Sequence, residues 1–231
     1  MSFLLEGFEQ AFALLASGDP QTYSAVEATI IVSSMSIVGS LVLGAPLGFL
    51  LGHAEFPGRK ALRTVADTLL SLPTVVIGLV VYAFLTRRGP LGELELLFTL
   101  PGIAIGQIIL GLPVVAAHTA GAVEDMDARL KNTLLTLGAS RRDVLLTTMW
   151  EARHAILLAG VSAYGRIVSE IGISMMIGGN IKWHTRTITT AISLETGKGE
   201  FAMGVALGIV LMIIATAVNL TAVSLKRMAR A

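Results

Sequence analysis

Arg166 and Glu170 stand four residues apart inside an apolar run that covers residues 155–177. That spacing puts both on one face of a helix. Charge at bilayer depth is costly, so it faces the interior of a bundle or an aqueous path. Two readings are open. In the first, Arg166 attracts an anion and Glu170 holds or gates it. In the second, the two neutralise one another and fix helix packing. A proton relay is a third option, with this isolated pair as its only support. Just past the run come Gly178-Gly179-Asn180-Ile181 and then Thr185-Arg186-Thr187-Ile188-Thr189-Thr190. Their hydroxyls, amide, guanidinium and glycine N–H groups are the donors a tetrahedral oxyanion needs. The same composition also suits a solvated loop. A further pair of hydroxyls flanks a proline in Ser71-Leu72-Pro73-Thr74. There, Ser71 and Thr74 could satisfy carbonyls that Pro73 frees at membrane depth.

Other chemistries find no residues. A phosphate-binding loop of the G-x-x-x-x-G-K-[ST] form is missing, because Gly197-Lys198-Gly199 lacks the distant glycine and the hydroxyl. No catalytic set and no ATP site belong to this chain on that reading. The histidines, at 53, 118, 154 and 184, lack metal-ligand spacing. With no cysteine there is no disulfide, thiolate zinc site, iron–sulfur cluster or cysteine nucleophile. No basic block points to nucleic acid.

The elements that position these residues are membrane helices. The chain is 54% hydrophobic and only 14% charged, with mean hydropathy +0.76, whereas soluble domains are about 25% charged. Five runs are long enough for a bilayer core, which needs about 20 helical residues. They cover 23–51, 65–85, 97–119, 155–177 and 201–223. Segments 52–64, 120–154 and the tail hold eleven of the 17 Lys and Arg, against five in the alternate segments. This bias predicts an outer N-terminus and a cytoplasmic C-terminus. No Lys or Arg precedes Arg59, so a cleaved signal peptide is not expected and the first run stays as an anchor. The fold class predicted is an all-α integral membrane protein with five transmembrane helices and a short N-terminal amphipathic helix. Residues 1–20 would form that outer-face segment, 21–225 the transmembrane domain and 226–231 a basic cytoplasmic tail. A frayed terminus is the alternative for residues 3–15. Small residues recur every fourth position at Ser40, Gly44, Gly48 and Gly52, and in Gly102/Gly106 and Gly204/Gly208. Such stripes let backbones approach, within one bundle or between subunits. Prolines 46, 73 and 113 fall inside the runs, as helices broken along a transport path would require.

The polar loop 121–154 carries the most specific pattern. Leu137, Gly138, Ala139, Ser140, Arg141, Arg142 and Asp143 read as a helix end, a glycine turn and a capped second helix. Gly138 can take a left-handed conformation. Ser140 can cap, with Asp143 three residues on closing a variant of the capping box. Val144, Leu145 and Thr148 continue that helix, and residues 127–137 are helix-forming. Arg141 and Arg142 would lie near the tip of a knob, and a helix laid in a partner's groove is a common mode of recognition.

This loop resembles the cytoplasmic loop of bacterial ABC importer permeases, which reads E-A-A, three residues, Gly, nine residues, I-x-L-P. Gly138 matches the glycine. Asn132, Thr133 and Leu134 replace E-A-A, and Thr148, Met149, Trp150 and Glu151 replace I-x-L-P. The likeness extends through 165–172, 178–181, 185–200 and the Ser71–Gly78 block, over about residues 22–225. In those blocks it resembles the molybdate/tungstate/sulfate group, and tungstate-importer permeases in particular. The resemblance implies a homodimeric permease under which two ATPase subunits bind ATP and Mg. A periplasmic or lipid-anchored binding protein would deliver the oxyanion. The segment after Gly138 would couple ATPase closure to the path, and Ser71, Pro73, Thr74, Arg166, Glu170 and Asn180 would line that path. A membrane enzyme would need a polar cluster that is not found. An ion-coupled secondary transporter would be expected to show inverted repeats and midplane ion sites.

Overall fold

A computed structural model describes residues 2–125, 133–134 and 136–228. Every regular element among them is helical. In chain order they are α1 (Ser2–Ser17), α2 (Pro20–His53), α3 (Arg59–Leu69), α4 (Thr74–Leu85), a 3-10 turn (Gly92–Leu94), α5 (Leu100–Glu124), α6 (Arg141–Glu151), α7 (Arg153–Val168), α8 (Gly172–Gly178), α9 (Ile188–Lys198) and α10 (Phe201–Met228).

Local chemistry sets the ends. Asp19 caps α2, its carboxylate accepting from the Thr22 N–H and hydroxyl at 2.8 Å each, and Pro20 supplies a preset first turn. Thr99 caps α5 in the same way, accepting from Gly102 N at 3.1 Å just past Pro101. At the far end of α2, Arg59 donates from Nε to Leu51 O at 2.6 Å and from Nη2 to Gly52 O at 3.1 Å. The same guanidinium lies 2.8 Å from Glu124 at the end of α5, and Arg63 donates to Ala117 O at 2.9 Å. Two of the cations that set the charge bias therefore lock three helix ends together.

Three helices, α2, α5 and α10, are long and apolar enough to cross a bilayer unbroken. The other two apolar runs are bent pairs: α3 and α4 turn by 101° at residues 70–73, and α7 and α8 by 62° at residues 169–171. The five runs expected from the sequence are present, but 65–85 and 155–177 are not single helices. Pro73 starts α4 as its N-cap residue. Pro46 and Pro113 stay inside continuous helices. Helix α1 is packed onto the bundle: Ala11 is fully buried, and Gly7 lies against the Phe201 ring at the start of α10.

At the centre is α5, the most buried span. Ile103 and Leu110 on it pack with Val32 of α2, Ile77, Val81 and Leu85 of α4, and Ile173 and Ile177 of α8. The stripe on α2 explains the close approach of α2 to α5. A Cβ at Gly48 would sit 2.8 Å from Thr119 Cβ, and one at Gly52 would sit 2.7 Å from Val123 Cβ. This stripe is packing within one chain. We predict that Gly48→Leu lowers the thermal unfolding temperature by several degrees, since overpacking costs about 1–3 kcal/mol. Gly208→Leu, where a Cβ meets nothing within 4 Å, should not destabilise the fold. Equal melting of both variants would contradict the packing.

Candidate functional site

The two breaks lie together. At the first, α3 tightens into i→i−3 bonds, with Leu70 N on Asp67 O, Ser71 N on Thr68 O and Leu72 N on Leu69 O. Pro73 has no N–H to continue the ladder. Arg166 reaches across from the end of α7, and its Nη2 donates to Leu70 O at 3.2 Å. At the second break, Glu170 Oε1 accepts from Ile173 N at 3.1 Å and so caps α8. Gly172 keeps the two breaks close: a Cβ there would be 3.3 Å from both Glu170 Oε1 and Thr74 Oγ1. Arg166, Glu170, Thr74, Ser71 and Pro73 are thus brought to one region. Non-helical backbone at membrane depth is tolerated where it is covered by protein or lines an aqueous cavity, and half-helix ends of this kind form transport sites.

Arg166 and Glu170 are not an ion pair. Arg166 is exposed and bonds to a carbonyl, whereas Glu170 is buried at 7% exposure and bonds to a backbone N–H. The i,i+4 spacing fails because α7 ends at Val168 and the chain turns before Glu170. The reading of a neutralised pair is set aside for that reason. Nor do the hydroxyls of Ser71 and Thr74 serve the broken ladder; the Arg166 guanidinium does.

Asn180 stands apart, beyond the far end of α8. It adopts φ +52° and donates from Nδ2 to Thr190 O at 3.3 Å, while its Oδ1 is buried without a partner. The threonines after it are buried rather than solvated. Thr185 Oγ1 donates to Gly178 O and accepts from Ile181 N at 3.2 Å. Thr187 and Thr190 form the capping box of α9, and Thr189 Oγ1 donates to Glu170 O at 2.8 Å. These hydroxyls are spent on structure, and the segment expected to be an external loop begins a helix instead.

Two contributors are not evident from the sequence patterns. Thr189 tethers the second break to α9. Gln107, 2% exposed, lies on α5 with Oε1 2.8 Å from Ser36 Oγ and Nε2 donating to Ser174 Oγ at 3.3 Å. It joins α2, α5 and α8 beside the breaks. Its signal in the sequence is that of a lone side-chain amide in an apolar run.

The second candidate element is the loop. Residues 126–132 and 135 lie outside the described residues, so the first part of the helix expected over 127–137 does too. From Gly138 onward the expected turn and cap are present. Gly138 has φ +80°, and Ala139 N donates to Leu134 O at 2.9 Å, the six-to-one bond of a glycine-terminated helix. Ser140 Oγ accepts from Asp143 N at 3.2 Å, and Asp143 Oδ2 accepts from Ser140 N at 3.0 Å and from Ser140 Oγ at 2.6 Å. Arg141 opens α6, with exposed Arg142 beside it. Val144 and Thr148, one turn apart, are buried. Outward stand Leu137 at 77% exposure, Leu146 at 52% and Trp150 at 67%, with Met149 and Leu145 between them. An apolar surface concentrated on one short element marks an interaction site.

The Ser140 hydroxyl and, secondarily, its backbone N–H hold the Asp143 carboxyl below its ordinary range. A carboxylate with a lowered folded pKa adds stability above its unfolded value and loses it as pH falls through the lowered one. We therefore expect the protection of α6 from hydrogen exchange, taken against the intrinsic rate at each pH, to fall on acidification through the acidic side of the carboxylate range. Ser140→Ala, worth about 1 kcal/mol as a cap, should raise exchange at neutral pH and flatten that dependence. An unchanged exchange profile in Ser140→Ala would contradict the capping role.

A model for "Binding-protein-dependent transport system inner membrane component" matches residues 44–230. The tungstate uptake permease TupB of Campylobacter jejuni is 46% identical over 98% of this chain and 95% of its own length. The tungstate uptake permease TupB of Peptoclostridium acidaminophilum is 35% identical over 98% and 99%. Among solved structures, an inward-facing form of the methionine ABC transporter MetNI superposes with TM-score 0.72 at 16% identity, covering 92% of this chain and 97% of the other.

Proposed function

This chain belongs to the binding-protein-dependent transport system inner membrane components, and from that membership we propose that it is the permease of an ATP-driven importer of tungstate. It forms the translocation path and does not itself hydrolyse ATP. The 46% identity to a tungstate permease across nearly the whole chain carries the choice of anion.

The assembly is a homodimer of this chain, with two ABC ATPase subunits below and an oxyanion-binding protein above. The ATPase subunits bind ATP and Mg. The N-terminus lies outside and the C-terminus in the cytoplasm of the bacterial inner membrane, as the loop charges predict. The ATPase grips Leu137 before the turn and Leu146, Met149 and Trp150 on α6, whose exposed apolar surface supports that contact. Gly138, Ala139, Ser140, Arg141, Arg142 and Asp143 set its angle. ATPase closure then shifts α6 and α7, and with them Arg166 and Glu170 at the breaks. Arg166 has donors left over beyond Leu70 O. It draws the anion to a site with few charges, which holds it weakly enough to let it pass.

Competition uptake tests the reading. Labelled tungstate should enter proteoliposomes containing the assembled complex, with unlabelled tungstate competing at far lower concentration than molybdate or sulfate. Stronger competition by molybdate or sulfate would reassign the anion.

A further inference from the structure

We infer that the outer end of the fold carries an oxyanion-binding recess, built from Lys182, Arg186 and Lys198 around Glu195, which the anion occupies before it reaches the two breaks. The inference rests on the proposed role as an oxyanion permease and on the orientation given with it.

The recess has a volume of about 340 Å³ and is lined by Gln21, Met203, Glu200 and these charged residues. Three separate elements converge there: the start of α2, the loop before α9, and the end of α9 running into α10. Arg186 is the anchor. Its side chain is 10% exposed, and Nη1 donates to Glu195 Oε1 at 3.2 Å. Its Nε–H is buried without a partner. A guanidinium offers five donors in a fork matched to oxyanions, and here most of them are not taken by the protein. Lys182 has no carboxylate within ion-pair distance among the described residues; its Nζ lies 5.0 Å from the centre of the Trp183 ring.

Glu195 does not close the recess to anions. Its Oε1 already accepts from Gln21 Nε2 at 3.4 Å, Arg186 at 3.2 Å and Lys198 Nζ at 3.0 Å, and its Oε2 from Lys198 Nζ at 3.3 Å. Three cations against two carboxylates leave one positive charge in excess. That suits a dianion in transit, which must be attracted and also released.

The loop is held in shape for this purpose. Ile181 O accepts N–H bonds from His184, Thr185 and Arg186 at 3.0–3.1 Å. Asn180 and Trp183 both adopt positive φ, at +52° and +67°, and non-glycine residues in that region are strained and cluster at ligand sites. The loop that carries Arg186 is also tied to the second break. Three residues after Arg186, Thr189 bonds to the main chain of Glu170 at the second break.

Trp183 makes the test direct, since the chain has two tryptophans. In a Trp150→Phe background it is the only indole. The full chain in lipid nanodiscs, without partner subunits, is titrated with tungstate while Trp183 emission is followed. A saturable change is expected, with its midpoint raised at least tenfold in Lys182→Gln and in Arg186→Gln. Lys182 is exposed, so its variant keeps the test valid should Arg186→Gln fail to fold. No saturable change, or an unshifted midpoint in Lys182→Gln, would overturn the recess. Tungstate uptake by the assembled importer is measured in parallel. Uptake without a Trp183 response removes the recess and leaves the permease reading. A lysine-dependent response without uptake supports the recess and removes that reading.

Discussion

Gly138→Val should abolish ATP-coupled uptake, while Gly138→Asn should retain most of it. The residue sits at φ +80°, and a Cβ there would meet nothing within 4 Å. The expected defect is therefore conformational and not a steric clash. A β-branched residue resists left-handed backbone, whereas asparagine visits it readily. Such strain costs about 1–3 kcal/mol, enough to swing the turn toward another geometry by roughly five- to a hundredfold. The bond from Ala139 N to Leu134 O would be lost, and α6 would leave from the helix end at a different angle. ATPase docking, measured by co-purification, and uptake should fall together in Gly138→Val. Equal transport by the two variants would show that the turn does not transmit force.

The second large effect concerns the breaks. Glu170→Ala leaves the Ile173 N–H without its acceptor, at a cost of about 1–3 kcal/mol for a buried group. Arg166→Ala leaves Leu70 O bare at the first break. Each change alone should cut uptake at least tenfold, and Glu170→Gln, which keeps an acceptor oxygen, should be milder than Glu170→Ala. Because Arg166 and Glu170 bond to different backbone groups and not to each other, the double variant should be no better than the worse single one. Rescue in the double would mean that the two charges compensate one another, contrary to the geometry.

The reach of the sequence is clearest at the loop. Gly138, Ser140 and Asp143 act through contacts three to five residues away, so their spacing alone specifies the turn and the cap. Hydropathy likewise locates all five apolar runs. It does not reveal that two of them bend, because a break depends on what receives the freed backbone groups. For Leu70 O the receiver is Arg166, 96 residues away. Spacing of i,i+4 pairs Glu170 with Arg166 only on an unbroken helix, and this helix is broken between them. Composition makes the threonines at 185–190 solvated donors, since it does not reveal that Thr29 Oγ1 accepts the Ile188 N–H and that Glu170 O takes Thr189.

The most direct test of the central claim is the energy source. Proteoliposomes are made with this chain, its ATPase subunits and the binding protein, then given labelled tungstate with ATP inside, with a non-hydrolysable analogue, or with an imposed ion gradient alone. An importer permease predicts uptake with ATP only, and none when the ATPase subunits are omitted. Uptake driven by the gradient without ATP hydrolysis would contradict it and identify a secondary transporter.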